Sequence, residues 1–242
     1  MGEIRVRHGL NKPAREIAYK DLRGGVERAL PEYLAALDRY VPGLLFTLAV
    51  PTTERRLLAP DDGQVLDEAL RIAGMSEWKR KVSYKALCVT QVCAYLVALL
   101  GHASQRVVWM LDNDEIVANS ERGVRSAEVL ASLVRAYAPN GPQVRGWAVP
   151  FADRSEMVFH DLLSATDLAA GTILEALARE SGRAPSRKPH YDLMERWLGE
   201  QGRVLRKLTV VIRPDSSDGR ISARLVRPGG LQHQPTDNAQ RS

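Results

Sequence analysis

The chain reads as an α/β fold, a mixed sheet flanked by helices with a C-terminal β-hairpin, on three observations. Apolar runs of strand length alternate with amphipathic stretches of helical period. The run at residues 107–111, Val-Val-Trp-Met-Leu, breaks abruptly into Asp-Asn-Asp-Glu. Two alternating runs near the C-terminus flank a turn sequence, Pro-Asp-Ser-Ser-Asp-Gly.

Taken in order, residues 4–8 alternate Ile, Arg, Val and Arg and predict a short strand with one wet face. After Gly24-Gly25, a helix is expected with Val26, Leu30, Tyr33, Leu34, Leu37 and Tyr40 on one face. Pro31 marks a kink or a first-turn position within it. Residues 44–50 form the next strand, and Asp61-Asp62-Gly63 opens a short amphipathic helix that ends near Gly74. The stretch 83–100 is apolar almost all round, which predicts a core helix. Trp78-Lys79-Arg80-Lys81 before it suits either a nucleic-acid grip or a surface Trp packed under long cationic stems. Residues 120–138 are amphipathic, Pro139 to Pro142 stop them, and a strand follows at about 144–149. The helix at 161–178 is rich in Ala and Gly, with Asp161 expected as its cap and Asp167 on the rim of its apolar face. Residues 190–226 give a short helix and the hairpin, so 1–226 reads as one domain. The polar stretch 227–242 is expected to be a disordered tail.

The 242 residues, 45% hydrophobic and 26% charged, have the balance of a globular chain with room for a sizeable core. The apolar run 86–101 is shorter than the roughly 18 to 20 residues of a membrane span and is interrupted by Thr90 and Gln91, so no membrane partner is expected. The first residues carry no apolar signal core, which makes the cytoplasm the default. Cys88 and Cys93, five apart in that run, suit core thiols better than a disulfide or a zinc clip. From Arg179 onward there are 13 Lys and Arg against 7 Asp and Glu, so the basic excess sits in the last quarter. That asymmetry fits either a solvated face or a polyanion partner. For the latter, Arg183, Arg187, Lys188, Arg206 and Lys207 are the candidate nucleic-acid contacts.

Along a pleat ending at Asp112, that carboxylate reaches the lip of the sheet, where open α/β sheets bind ligands, although Asp112 and Asn113 also suit a helix-capping turn. A helix of small residues approaches a sheet closely, so Asp167 is expected beside Asp112. Two carboxylates ~4 Å apart repel by about 4 kcal/mol at an effective dielectric of ~20 and need a cation, a proton or a basic partner. Oxygen ligands without His or Cys favour Mg²⁺ or Mn²⁺, with Asp114 as a further ligand.

Asp-Asn-Asp after the apolar strand, followed by Ala-Thr-Asp-Leu-Ala-Ala-Gly on the late helix, resembles the ribonuclease H-like family catalogued as domain of unknown function 3800. Tyr-Lys-Asp-Leu at residues 19–22 and the strand at 44–50 fall where that family has related features. The resemblance implies a ribonuclease H-like fold and a metal-dependent, nuclease-like centre, with Asp112 and Asp167 as catalytic acids. Members open with a strand bearing Asp-Glu-Ser or a similar triplet, and nothing of that kind precedes Ile4. The expectation is therefore a metal-dependent hydrolase of phosphodiesters in which either the N-terminus starts late or the ligand set of Asp112, Asp114 and Asp167 is incomplete. The alternative is a non-catalytic scaffold of the same fold that binds nucleic acid or a protein partner.

Overall fold

A computed structural model describes residues 1–10, 17–60, 62–111, 115–148, 157–182, 190–214 and 221–226. The chain divides into two compact units, Met1–Pro51 with Arg154–Ser242, and Thr52–Asp153.

The first unit is built on two long helices, α2 (Gly25–Tyr40) and α6 (Met157–Glu180), preceded by a short α1 (Gly2–Arg7) and joined by α7 (Tyr191–Gly199). On α2, Val26, Leu30, Tyr33, Leu34 and Leu37 are buried as the sequence pattern predicts, joined by Ala29, whereas Tyr40, expected on the same face, is exposed at the end of the helix. Pro31 lies inside α2 on its exposed side, so the hydrogen bond it cannot donate is lost from the solvent face. Leu30, Tyr33, Leu37, Leu168, Ile173 and Met194 form the centre of the core. A three-stranded sheet completes the unit. β1 (Gly43–Ala49) runs parallel to β4 (Leu205–Pro214), with Gly43 opposite Leu205, and β4 pairs antiparallel with β5 (Ile221–Val226), the pairing that the alternating runs predict.

In the second unit, α3 (Gly63–Ile72), α4 (Arg80–Leu100) and α5 (Ser120–Tyr137) accompany a two-stranded parallel sheet of β2 (Arg106–Leu111) and β3 (Gln143–Ala148). Asp62 caps α3 by accepting from the Gln64 N–H at 3.2 Å, and Asn119 caps α5 by accepting from Arg122 at 2.8 Å. Leu66, Leu70, Met75, Val82, Ala86, Ile116 and Val117 make one core cluster, and Ala94, Leu130 and Val134 make a second.

The expected large mixed sheet is not what forms. The fold is mostly helical, and its strands are split between two small, separate sheets. A ribonuclease H-like sheet flanked by helices is therefore contradicted as the fold class. The physical reason is pairing: β1 pairs with β4 and β2 with β3, so among the described residues no ladder joins β2 and β3 to the sheet of β1, β4 and β5.

Local corrections follow the same logic. Residues expected as an N-terminal strand are helix α1, and Arg5 within it is buried. Asp161, expected as a cap, lies one turn inside α6 because that helix begins at Met157. It is 2% exposed and pairs with Arg5, whose Nε donates to Oδ1 at 2.8 Å and whose Nη2 donates to the same oxygen. Arg5 Nη1 donates to the Leu10 carbonyl at 3.3 Å, and the Tyr33 hydroxyl donates to the Asp161 carbonyl. Helix α4, expected in the core, buries only Val82, Ser83, Ala86, Thr90 and Ala94, because α5 and the sheet cover one side of it. Its 21 residues are long and apolar enough to cross a membrane by length and composition, whereas the run counted from Ala86 fell short. Cys88 and Cys93 are free and half-buried, and burial pushes both thiols up from their ordinary range. The polar stretch 227–242 lies outside the described residues.

Removing one partner of a buried ion pair strands the other charge away from water. Asp161→Leu or Arg5→Met alone should each destabilise the protein by about 3 to 5 kcal/mol. The double variant should recover most of that loss, and denaturant midpoints of the three proteins check it.

Candidate functional site

Of the acids picked out by the sequence, Asp167 is the one the structure describes. Asp112 and Asp114 lie outside the described residues, between the end of β2 at Leu111 and the turn Glu115–Val117. Asp167 sits midway along α6 with its side chain exposed, and its Oδ2 accepts a hydrogen bond from the Tyr19 backbone N–H at 2.7 Å. Tyr19 opens a single helical turn, Tyr19–Asp21, whose first N–H groups have no partner within so short a turn. The carboxylate of Asp167 satisfies one of them and complements the positive end of that turn.

The neighbouring positions on α6 act on the same residue. Gly171 lies one turn beyond Asp167, and a Cβ there would overlap the Tyr19 ring, so the absence of a side chain is what lets the ring lie against the helix. Glu175, one turn further, accepts a hydrogen bond from the Tyr19 hydroxyl and is also paired with Arg179 at 2.9 Å. The Arg179 guanidinium lies over the Tyr191 ring, 3.6 Å from its centroid. Asp167, Gly171 and Glu175 thus form one stripe at a spacing of four residues that holds Tyr19 at its backbone, ring and hydroxyl. The Asp-Leu-Ala-Ala-Gly sequence has a structural use here, as the slot for Tyr19.

Burial, then the hydrogen bond to Glu175, raises the Tyr19 phenol far above its usual range. Burial, then the hydrogen bond to Glu195, does the same for Tyr191, and Tyr33 is raised chiefly by burial.

The candidate nucleic-acid contacts separate. Arg183, Arg187 and Lys188 lie outside the described residues, and Arg206 is exposed on β4. Lys207 is an internal cation: its side chain is 1% exposed and its Nζ lies 2.7 Å from Asp38 Oδ1. It also donates to the Glu200 carbonyl at 3.0 Å and stands 4.6 Å from the centre of the Trp197 ring. Burial lowers its pKa, and Asp38 opposes that shift. A cation so enclosed is withdrawn from any phosphate grip. Trp78 packs partly buried against the first core cluster of unit 2, with Arg122 5.3 Å from its ring centroid, which is the packing alternative for that segment.

Among the described residues, no group of three or more His, Cys, Asp or Glu could hold a metal ion. The described residues do not by themselves assemble the expected Mg²⁺ or Mn²⁺ ligand set, and no chemical step is assigned to a metal.

No family model, curated protein or solved structure matches the chain. The resemblance to a family therefore stands on the quoted residues alone.

Sequence reasoning missed the Tyr19 slot, although its signal was present: Asp167, Gly171 and Glu175 lie at i, i+4 and i+8 on one helix face. Gly171→Ala should cost about 1 to 3 kcal/mol, because the new methyl displaces the Tyr19 ring. The slot also fixes the pH dependence. A phenol whose folded pKa is raised loses its proton first in the unfolded chain, so the stability it contributes is complete below pH ~10 and declines above it. Urea midpoints should therefore fall as pH rises past ~10, and Tyr19→Phe should fall less steeply than the wild-type chain.

Proposed function

We propose that this chain is a non-catalytic scaffold that binds a protein partner, and that the partner is a second copy of itself docked on α4. The observation that carries this reading is the outward face of α4. Cys88, Val92, Tyr95 and Leu99 recur at intervals of four, three and four residues, the spacing of a helix-pairing seam. Cys88 and Val92 are partly exposed, and Tyr95 and Leu99 are 59% and 65% exposed. Residues 86–100 carry no charge. A neutral seam is self-complementary: two copies related by a twofold axis bring the same residues together without like-charge repulsion. Exposed contiguous apolar surface of this kind marks interaction sites in soluble chains. Asp167 supports the non-catalytic part of the reading, since its carboxylate is engaged in holding Tyr19.

A second reading is a Mg²⁺- or Mn²⁺-dependent phosphodiester hydrolase that uses Asp112, Asp114 and Asp167. It is favoured by the position of Asp167, whose side chain is exposed to solvent on α6.

The two readings diverge in one set of measurements. Under the scaffold reading, sedimentation shows a concentration-dependent dimer that Leu99→Lys and Tyr95→Glu convert to monomer, and single- and double-stranded nucleic acids stay intact with Mg²⁺ or Mn²⁺. A chain that stays monomeric at all concentrations overturns the self-association. Metal-dependent cleavage that disappears in Asp112→Asn and Asp167→Asn overturns the non-catalytic reading in favour of the second.

A further inference from the structure

Beside the outward stripe of α4, its flank facing α3 and α5 carries a groove of about 810 Å³. This is within the roughly 300 to 1,000 Å³ typical of small-ligand sites. Its apolar wall comes from three parts of the chain: Leu58 and Pro60 before α3, Ile72 at the end of α3, and Leu87 and Leu133 on α4 and α5. Ile72 is 74% exposed, a cost that burial under a ligand would remove.

The polar groups are few and unevenly matched. Glu128 is the acid of the lining, and it is paired with Arg125 at 2.8 Å. Arg135, one further cation of the lining, donates to Ser132 Oγ at 3.3 Å and has no acidic partner among the described residues. Gln91 also lines the groove and donates a hydrogen bond to the Tyr137 hydroxyl. The groove therefore offers a long apolar wall and one guanidinium that has no acidic partner among the described residues.

We infer that this groove binds a small anionic amphiphile, a carboxylate with an unbranched apolar tail, whose head pairs with Arg135 and whose tail covers Leu133, Leu87 and Ile72. A guanidinium takes a carboxylate through two parallel N–H bonds, and that geometry is stronger than a neutral hydrogen bond. The tail supplies affinity through area removed from water and needs no further polar match. A nucleic acid would need several phosphate contacts, and one cation without an acidic partner among the described residues does not supply them.

Dodecanoate, held below its micelle concentration and titrated calorimetrically into the full chain, is the probe, with dodecanol as the neutral control. The expected result is saturable binding of one dodecanoate per chain, weakened about tenfold or more by Arg135→Gln and only partly restored by Arg135→Lys, which keeps the charge and loses the paired N–H bonds. Ala69→Trp, which places an indole in the groove, should block binding. Arg135 is exposed, so its replacement leaves the fold intact and decides the question even if Ala69→Trp fails to fold. Absence of saturable binding, equal binding of dodecanol, or unchanged affinity in Arg135→Gln each overturns the assignment. So does an acidic amphipathic peptide that saturates the groove while dodecanoate does not.

Discussion

Arg5 and Asp161 stand 156 residues apart in sequence and meet in the core of unit 1 with side-chain exposures of 5% and 3%. A charge in that setting has no water to turn to, and leaving it alone costs several kcal/mol. The pair therefore forces α1 onto α6. The same helix then gathers the rest of its unit. The Asp161 carbonyl receives the Tyr33 hydroxyl of α2, Asp167 receives the Tyr19 N–H, and Glu175 receives the Tyr19 hydroxyl. At its last residue, Glu180 pairs with Arg213 of β4. Burial of Leu168, Ala169 and Ile173 supplies the non-directional attraction, and these polar links set which segment lies at which turn.

Unit 2 shows the converse constraint. Two short strands with α3 and α5 offer too little surface to cover a helix that is apolar almost all round, so α4 keeps a neutral outward stripe in water. Its inner side is well served: Thr90 returns its hydroxyl to the Ala86 carbonyl at 2.8 Å, and Ser83 donates to Met75 at 3.1 Å. The difference between a satisfied inner face and an uncovered outer one is what points from fold to partner.

Much of the local structure was legible in the sequence. The apolar spacing on α2, the turn at Asp62-Gly63 that opens α3, and the alternation of β4 and β5 each have a short-range physical cause, and each element formed where its signal lies. Strand pairing has no such signature. Nothing in the pattern of residues 43–49 names residues 205–211 as their parallel partner, and the large sheet failed at that step. At the N-terminus, five alternating residues were too few to tell a strand from one helical turn, and Arg5 counted as wet because its partner lay so far away. Lys207 was a different kind of miss. It shares the inward side of β4 with Leu205, Thr209 and Val211, all buried, so the two-residue period already placed it inside while a charge count placed it outside. Asp112 and Asp114 lie outside the described residues, and the acidic site was legible only as a residue type.

Amide hydrogen exchange at Tyr19 tests whether Asp167 is spent on folding. With Asp167 as its acceptor, the Tyr19 N–H exchanges slowly in the wild-type chain. In Asp167→Ala it becomes fast, while amides in the middle of α2 keep their protection, and Mg²⁺ changes neither result. A Tyr19 amide that exchanges freely in the wild-type chain, or stays protected in Asp167→Ala, would contradict the role assigned to that carboxylate.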